Sequence, residues 1–210
     1  MSSSGDGRSA GSTSGRGRSI DWPTPTMTGV RGSRFTTRSM TALTTWWLKV
    51  TGRVVFVRIA VGSDHAGFPL KSVIAEALSE QGFEVLDLGT FDASSAVDYP
   101  DFGEAVGRAV VDGRAELGVA ICGSGVGISI AANKVPGVRA ALVHDVTTAR
   151  LAREHNHANV LCLGARIVGT QVALDAVSAW LTAPLGEGRH GPRVAKLDRL
   201  DEQFKHQRKD

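Results

Sequence analysis

A cysteine followed by a glycine-rich turn is the part of the sequence best suited to chemistry. Cys122 ends an apolar run, and the turn 123–127 (Gly-Ser-Gly-Val-Gly) then leads into a stretch with helical periodicity. Glycines let a backbone approach a ligand closely, and the free N–H groups at the start of a helix suit an anion or an oxyanion. A helix start also favours the thiolate form of a cysteine, so Cys122 is a candidate base or nucleophile. The alternative is a small buried core thiol, which is our interpretation of Cys162.

The same turn superficially resembles a dinucleotide-binding fingerprint. Asp145 even lies near the end of the next predicted strand, where a ribose-binding acid would stand. The spacing is Gly-x-Gly-x-Gly, however, and the turn follows the third predicted strand instead of the first. Both points argue against nicotinamide binding.

Other polar residues lie next to predicted strands. Asp64 and His65 follow the first one, and such a pair can serve acid-base chemistry or can cap the next helix. His155 and Asn156 precede the fifth, where such dense polar residues usually make loop hydrogen bonds, although we expect these two also to point at the ligand-binding edge of the sheet. His155 and His157 are two residues apart with no partner acid in a suitable position, so no zinc site is expected.

Three arginines near the end of the chain suit a phosphate. A guanidinium group can give a phosphate two parallel hydrogen bonds, which distinguishes arginine from lysine at such sites. The alternative is a solvated basic loop. The candidates are Arg166, Arg189 and Arg193.

Short apolar runs that alternate with helical patterns must position these residues, and this order is typical of βαβ units and a parallel sheet. The sequence therefore predicts an α/β fold with a five-stranded parallel sheet, whose ligands bind outside the carboxyl ends of the strands. The predicted strands are 54–61, 84–88, 117–122, 140–143 and 160–163. The predicted helices are 70–78, a helix capped by Asp101 and ending at Gly113, 126–133, 146–155, 170–181 and a last helix from Val194.

The last helix has no strand to return to. It places Val194, Leu197, Leu200 and Phe204 on one side, and we expect this side to pack against a second subunit.

Composition divides the 210 residues into two parts. Residues 1–53 are rich in Ser, Gly and Thr and carry eight basic against two acidic residues, so we expect a disordered extension. A transit peptide or a basic arm for nucleic acid are the alternatives. Residues 54–210 form the predicted folded domain. Its net charge is −3, because the extension carries +6 and the whole chain +3.

Two cysteines suggest a reducing, cytoplasmic compartment, and no apolar run approaches the roughly 18 residues needed to span a membrane.

Six segments together resemble the ribose-5-phosphate isomerase B family, whose broader grouping includes the galactose-6-phosphate isomerase subunits. The stretch Cys-Gly-Ser-Gly-Val-Gly-Ile-Ser-Ile-Ala-Ala-Asn-Lys is the most specific of them. The resemblance covers about residues 57–207 and excludes the extension. The segments are 62–67, 98–100, 122–134, 155–161, 164–166 and 188–193.

The resemblance implies an isomerase of the pentose phosphate pathway that interconverts ribose 5-phosphate and ribulose 5-phosphate. It implies a Rossmann-like three-layer fold, no metal or organic cofactor, and a dimer or dimer of dimers with the active site at the subunit interface. No nucleic-acid or membrane partner is expected. By the same resemblance Cys122 is the base, His155 is the acid that opens the furanose ring, and Tyr99 lines the pocket. Sugar hydroxyls are held by Asp64, His65 and Asn156. The enediolate is stabilised by the Ser124 hydroxyl and by the backbone amides of Gly123, Ser124, Gly125, Val126 and Gly127. The phosphate is bound by Arg166, Arg189 and Arg193.

Some positions depart from the family pattern. Ser124 replaces a frequent threonine and keeps its hydroxyl, while His157 stands where many members have Asp. Ile128 stands where one branch of the family has a catalytic glutamate, which places this chain in the cysteine branch. The change at His157 affects the loop that carries His155, so the substrate stays open between a pentose phosphate and a tetrose or hexose phosphate. A phosphosugar-binding module without catalysis is a third hypothesis, disfavoured because Cys122, Ser124 and His155 are all present.

Overall fold

The computed structural model describes residues 57–207, with side chains described through residue 203. The predicted disordered extension, residues 1–53, lies outside the described residues, as does the side chain of Phe204. The strands of the described part are β1 (Arg58–Ser63), β2 (Glu84–Asp87), β3 (Leu117–Cys122), β4 (Ala140–Leu142) and β5 (Val160–Gly164). The helices are α1 (Phe68–Glu80), α2 (Tyr99–Val111), α3 (Val126–Ala132), α4 (Val146–Asn156), α5 (Thr170–Thr182) and α6 (His190–Gln207).

The strands form one parallel sheet in the order β2-β1-β3-β5-β4. The chain runs from β1 outward to β2 and then crosses back over β1 to β3. The carboxyl ends of β1 and β3 therefore flank a topological switch point, where open α/β sheets form their ligand-binding crevice. Cys122 is the last residue of β3, so the fold places it at this crevice.

Two apolar cores, one on each face of the sheet, make the three predicted layers. Alternate residues of β1, β3 and β5 project to opposite faces, and one set packs with α1, α4 and α5 around the fully buried Trp180. The other set, which includes Cys122 and Cys162, packs under α2 and α3. Because both faces are covered, the continuous apolar runs of the sequence correspond to buried strands.

Three predicted boundaries were wrong in ways that affect the site. Strand β1 extends to Ser63, so Asp64 directly follows the strand. Helix α2 begins at Tyr99 instead of after Asp101, because a proline such as Pro100 is well tolerated in the first turn of a helix. Helix α6 likewise begins at His190, before Pro192, and so carries Arg193 in its first turn.

Helix α6 packs partly on its own chain. Val194 is buried, and Asp198 forms an ion pair with Arg139 at 2.9 Å. Leu197 and Leu200 remain 41% and 47% exposed in the single chain. The expectation that this helix packs on a second subunit therefore stays a prediction for its outer face.

Candidate active site

The turn that follows β3 holds the Cys122 thiol in place. The buried Sγ of Cys122 accepts the N–H of Gly125 at 3.1 Å. Gly125 has φ +78°, and a Cβ there would lie 2.8 Å from the carbonyl carbon of Leu163. Glycine is therefore required at this position, both by the left-handed backbone and by the close approach of the turn to β5.

Two of the amides predicted to face an oxyanion already have partners within the turn. The Gly125 N–H donates to Cys122, and the Val126 N–H donates to the Ser124 hydroxyl oxygen at 3.3 Å. Ser124 itself is exposed at the crevice. The amides of Gly123, Ser124 and Gly127 have no such contact within the turn.

Asp64 and His65 lie across the crevice, directly after β1. The buried Asp64 carboxylate accepts the Gly67 N–H on Oδ1 at 2.8 Å, which leaves Oδ2 without a hydrogen-bond partner in the described part of the chain. His65 Nδ1 lies 3.2 Å from both the N–H and the carbonyl oxygen of Val97, so the imidazole is anchored through that nitrogen. One carboxylate oxygen and one imidazole nitrogen thus remain available to a ligand.

Tyr99 and Arg166 complete the group at the carboxyl edge. The Tyr99 ring lies against the backbone of Gly127, where an added Cβ would come within 2.6 Å of the ring. The Arg166 guanidinium lies beside Gly123. The backbone N–H of Arg166 donates to the Gly123 carbonyl oxygen at 2.9 Å. The structure therefore brings together the predicted residues from the ends of β1, β3 and β5.

A second polar cluster surrounds His155. The ring of His155 stacks on that of His190, with centroids 4.2 Å apart and planes within 9°. Burial lowers the pKa of His190, and the positive charges of His155, Arg189 and Arg193 lower it further. Arg189 and Arg193, two predicted phosphate ligands, thus lie near the His190 imidazole, which stacks on the predicted acid His155.

His157 joins the end of α4 to the segment that precedes α6. It adopts φ 50° as the C-cap of α4, and its Nε2 lies 2.9 Å from the Gly186 carbonyl oxygen. The Gly186 N–H in turn donates to the Glu154 carbonyl oxygen at 2.8 Å. The unusual residue at 157 therefore helps to hold the segment that leads to Arg189 against the helix that carries His155.

The two clusters lie at opposite edges of the sheet. Helix α4 ends at Asn156, just before β5 begins, so His155 and Asn156 lie at the amino edge, whereas Cys122 lies at the carboxyl edge. The register pairs Gly118 with Val160 and Cys122 with Gly164, and at about 3.3 Å per residue the two edges are about 13 Å apart. The expectation that His155 and Asn156 face the same sheet edge as Cys122 within one chain was wrong, because a crossover helix runs opposite to the strands it connects.

Sequence reasoning did not select His190 as a site residue, although it noted the basic segment that contains it. A stacked histidine pair requires two segments to meet, and only the fold brings residue 190 to residue 155. In the described residues, no group of three or more His, Cys, Asp or Glu side chains is arranged to hold a metal ion. No helix among them is long and apolar enough to cross a bilayer.

Comparison with known proteins relates this chain to sugar-phosphate isomerases. The family model described as Ribose/Galactose Isomerase matches residues 59–197. Ribose-5-phosphate isomerase B of Escherichia coli is 46% identical over 145 residues, which is 69% of this chain and 97% of that protein. D-erythrulose-4-phosphate isomerase of Pectobacterium atrosepticum is 39% identical over 149 residues, covering 71% and 98%. The ribose-5-phosphate isomerase B structure of Clostridium thermocellum has a TM-score of 0.69 at 50% identity, over 70% of this chain and 99% of that one.

Proposed function

Because the chain belongs to the ribose/galactose isomerase family, we propose that it interconverts D-ribose 5-phosphate and D-ribulose 5-phosphate through an enediolate. The observation that carries the proposal is the position of Cys122 at the switch point, across from the buried carboxylate of Asp64. The proposed enzyme domain comprises residues 54–210, and its free cysteines suit a reducing cytoplasm.

Aldose-ketose isomerisation needs a base next to an acidic C–H, because a proton must leave C2 of the aldose and return to C1. In our proposal the Cys122 sulfur is that base, and the Gly125 N–H orients it. Negative charge then develops on the C1 oxygen and, as the C2 hydroxyl gives up its proton, on the C2 oxygen. The C1 oxygen ends with that proton, so that C2 becomes the carbonyl when the base returns the carbon-bound proton to C1. The Ser124 hydroxyl and the unengaged amides of the turn would donate hydrogen bonds to these oxygens.

The remaining carboxyl-edge residues would orient the sugar. The free oxygen of Asp64 would accept a hydrogen bond from a sugar hydroxyl, and the free nitrogen of His65 would hold a second one. Tyr99, 42% exposed, would form a wall of the pocket beside Gly127. Fixing the sugar in this way removes orientational freedom before the proton moves.

The amino-edge cluster would serve the other end of the substrate. Arg189 directly precedes α6 and Arg193 lies in its first turn, and both are exposed, which suits a shared phosphate, with Arg166 contributing from the carboxyl edge. His155 would donate the proton that opens the furanose ring, and Asn156 would hold a hydroxyl beside it. His190 would support His155 by stacking against it.

A complete site requires two copies of the chain in this proposal. About 13 Å of sheet separates the two clusters within one chain. A second copy, as a homodimer or within a dimer of dimers, would bring its amino-edge cluster to the carboxyl edge of the first. A two-fold axis would then generate two equivalent sites.

The test is turnover by the purified full chain on four-, five- and six-carbon sugar phosphates, with a chelator present. We expect conversion of ribose 5-phosphate that the chelator does not reduce. Absence of activity on every sugar phosphate would refute the isomerase function, and loss of activity with chelator would refute the metal-free mechanism.

A second candidate is the same reaction on a tetrose phosphate. The relative named D-erythrulose-4-phosphate isomerase is 39% identical and supports this alternative. The panel separates the two substrates, because the proposal for ribose 5-phosphate requires a higher kcat/KM on the five-carbon sugar.

A further inference from the structure

A lysine of α1 is almost completely buried beside the proposed site without belonging to it. Lys71 is 1% exposed, and its ammonium group binds both carboxylate oxygens of Asp87, at 2.6 and 2.7 Å. The Phe68 and Phe91 rings cover it, with centroids 5.5 and 5.0 Å away. Asp87 is the last residue of β2 and its side chain is 35% exposed.

A buried ion pair contributes little net stability, since desolvating the two charges offsets most of their attraction. The structural effect of this pair is easier to identify. Asp87 Oδ1 also accepts the Gly89 N–H at 2.9 Å, which is the third hydrogen bond to this carboxylate. The carboxylate therefore joins α1 to the first residues of the segment 88–98.

That segment continues the hydrogen-bond ladder beside β1 up to the site. The Ser63 N–H donates to the Gly89 carbonyl oxygen at 2.7 Å, and the Thr90 N–H donates to the Ser63 carbonyl oxygen at 2.6 Å. Asp64 and His65 follow Ser63 directly, and Val97 at the far end of the segment contacts His65 Nδ1. Every connection from the Lys71 ammonium to His65 is thus a direct contact or a covalent neighbour.

We propose that Lys71 and Asp87 are positioning residues, which fix the segment 88–98 and through it the orientation of Asp64 and His65 toward the sugar. The proposal rests on the proposed isomerase function. It assigns no chemical step to Lys71, because its ammonium group is fully engaged by Asp87 and the two rings.

The test compares Lys71→Met with Arg58→Met. Arg58 forms an ion pair with Glu84 at 2.7 Å that joins β1 to β2 at the amino edge, so the control removes an ion pair to the same strand β2 away from the site. We expect Lys71→Met to raise the KM for ribose 5-phosphate about tenfold, because small displacements of orienting groups weaken productive binding. The inhibition constant of inorganic phosphate should stay within about twofold, because Arg189 and Arg193 lie at the other edge and Arg166 follows β5 and lies beside Gly123, outside the segment 88–98.

A general loss of folded protein would lower kcat and leave KM unchanged, so the KM shift distinguishes positioning from stability. Lys71→Gln retains a donor for Asp87 without a buried charge, and we expect a smaller rise in KM. This variant also carries the test if Lys71→Met does not fold. An unchanged KM in both variants, or an equal shift in Arg58→Met, would overturn the proposal.

Amide hydrogen exchange tests the same proposal without any substrate. We expect faster exchange in Lys71→Met at the amides of Ser63, Gly89 and Thr90, with no change there in Arg58→Met. Unchanged exchange in a folded Lys71 variant would refute the positioning role. If the wild type has no isomerase activity, the proposed function fails, and this measurement still decides whether the pair holds the segment.

Discussion

Mixing two inactive variants tests whether each active site combines residues of two chains. Cys122→Ala and His155→Ala each remove one side of the proposed site, and the sheet keeps these side chains about 13 Å apart or more within one chain. Random pairing of the two variants makes half of the dimers mixed. One of the two sites in a mixed dimer combines an intact Cys122 with an intact His155, so activity should recover to about a quarter of the wild-type value.

The experiment requires co-expression of the two variants with different affinity tags, followed by an assay of the unfractionated mixture. Mixed dimers isolated through both tags should reach about half of the wild-type value, because one of their two sites is intact. A matched control pairs Cys122→Ala with Asp64→Ala. Both residues lie at the carboxyl edge of the same chain, so every site of that mixed dimer lacks one of them, and no recovery is expected. Activity of the first mixture no higher than that of its separate components would refute the two-chain site.

Three further predictions concern single positions. Cys122→Ala should lower kcat at least about a hundredfold, the low end of general-base contributions, and leave the inhibition constant of inorganic phosphate nearly unchanged; wild-type turnover would contradict its role as base. Arg189→Gln and Arg193→Gln should each weaken inhibition by inorganic phosphate about tenfold, measured by competition at fixed pH, whereas unchanged inhibition would exclude them from the phosphate site. Burial and nearby positive charge lower the pKa of His190. The unfolded chain therefore binds a proton at this residue more readily than the folded chain does. The folded state loses stability as the pH falls from the ordinary pKa of histidine through the lowered value. The melting temperature of His190→Asn should accordingly fall less than that of the wild type between about pH 7.5 and pH 5, and parallel curves would contradict the assignment.

The sequence was sufficient to predict the α/β fold and the position of Cys122, because both depend on local order along the chain. Continuous apolar runs gave the five strands, and a cysteine at the end of such a run must lie at the carboxyl edge. The prediction for His155 was wrong because closeness in sequence to β5 does not determine at which edge of the sheet a residue lies. The direction of α4 decides the matter, and it places His155 where β5 begins.

Contacts between distant segments were beyond prediction. Lys71 lies within the predicted helix 70–78, and nothing local indicates that it is buried against Asp87, 16 residues away. The stacking of His190 on His155 likewise depends on how α6 returns to α4. Local sequence patterns carry no signal for these contacts, because each contact depends on how two distant segments pack in the fold.

The tight packing of the turn after β3 also limits how this enzyme can change during evolution. Gly125 has no space for a side chain, and a Cβ on Gly164 would lie 2.6 Å from the carbonyl carbon of Ser124. Single substitutions that reshape this turn would therefore displace Cys122 before they altered the pocket. Residues 91–96 are exposed and end in the turn of chain that carries Val97 and Tyr99. New substrate preferences are expected to arise in that segment, while the turn stays nearly constant across descendants of this protein.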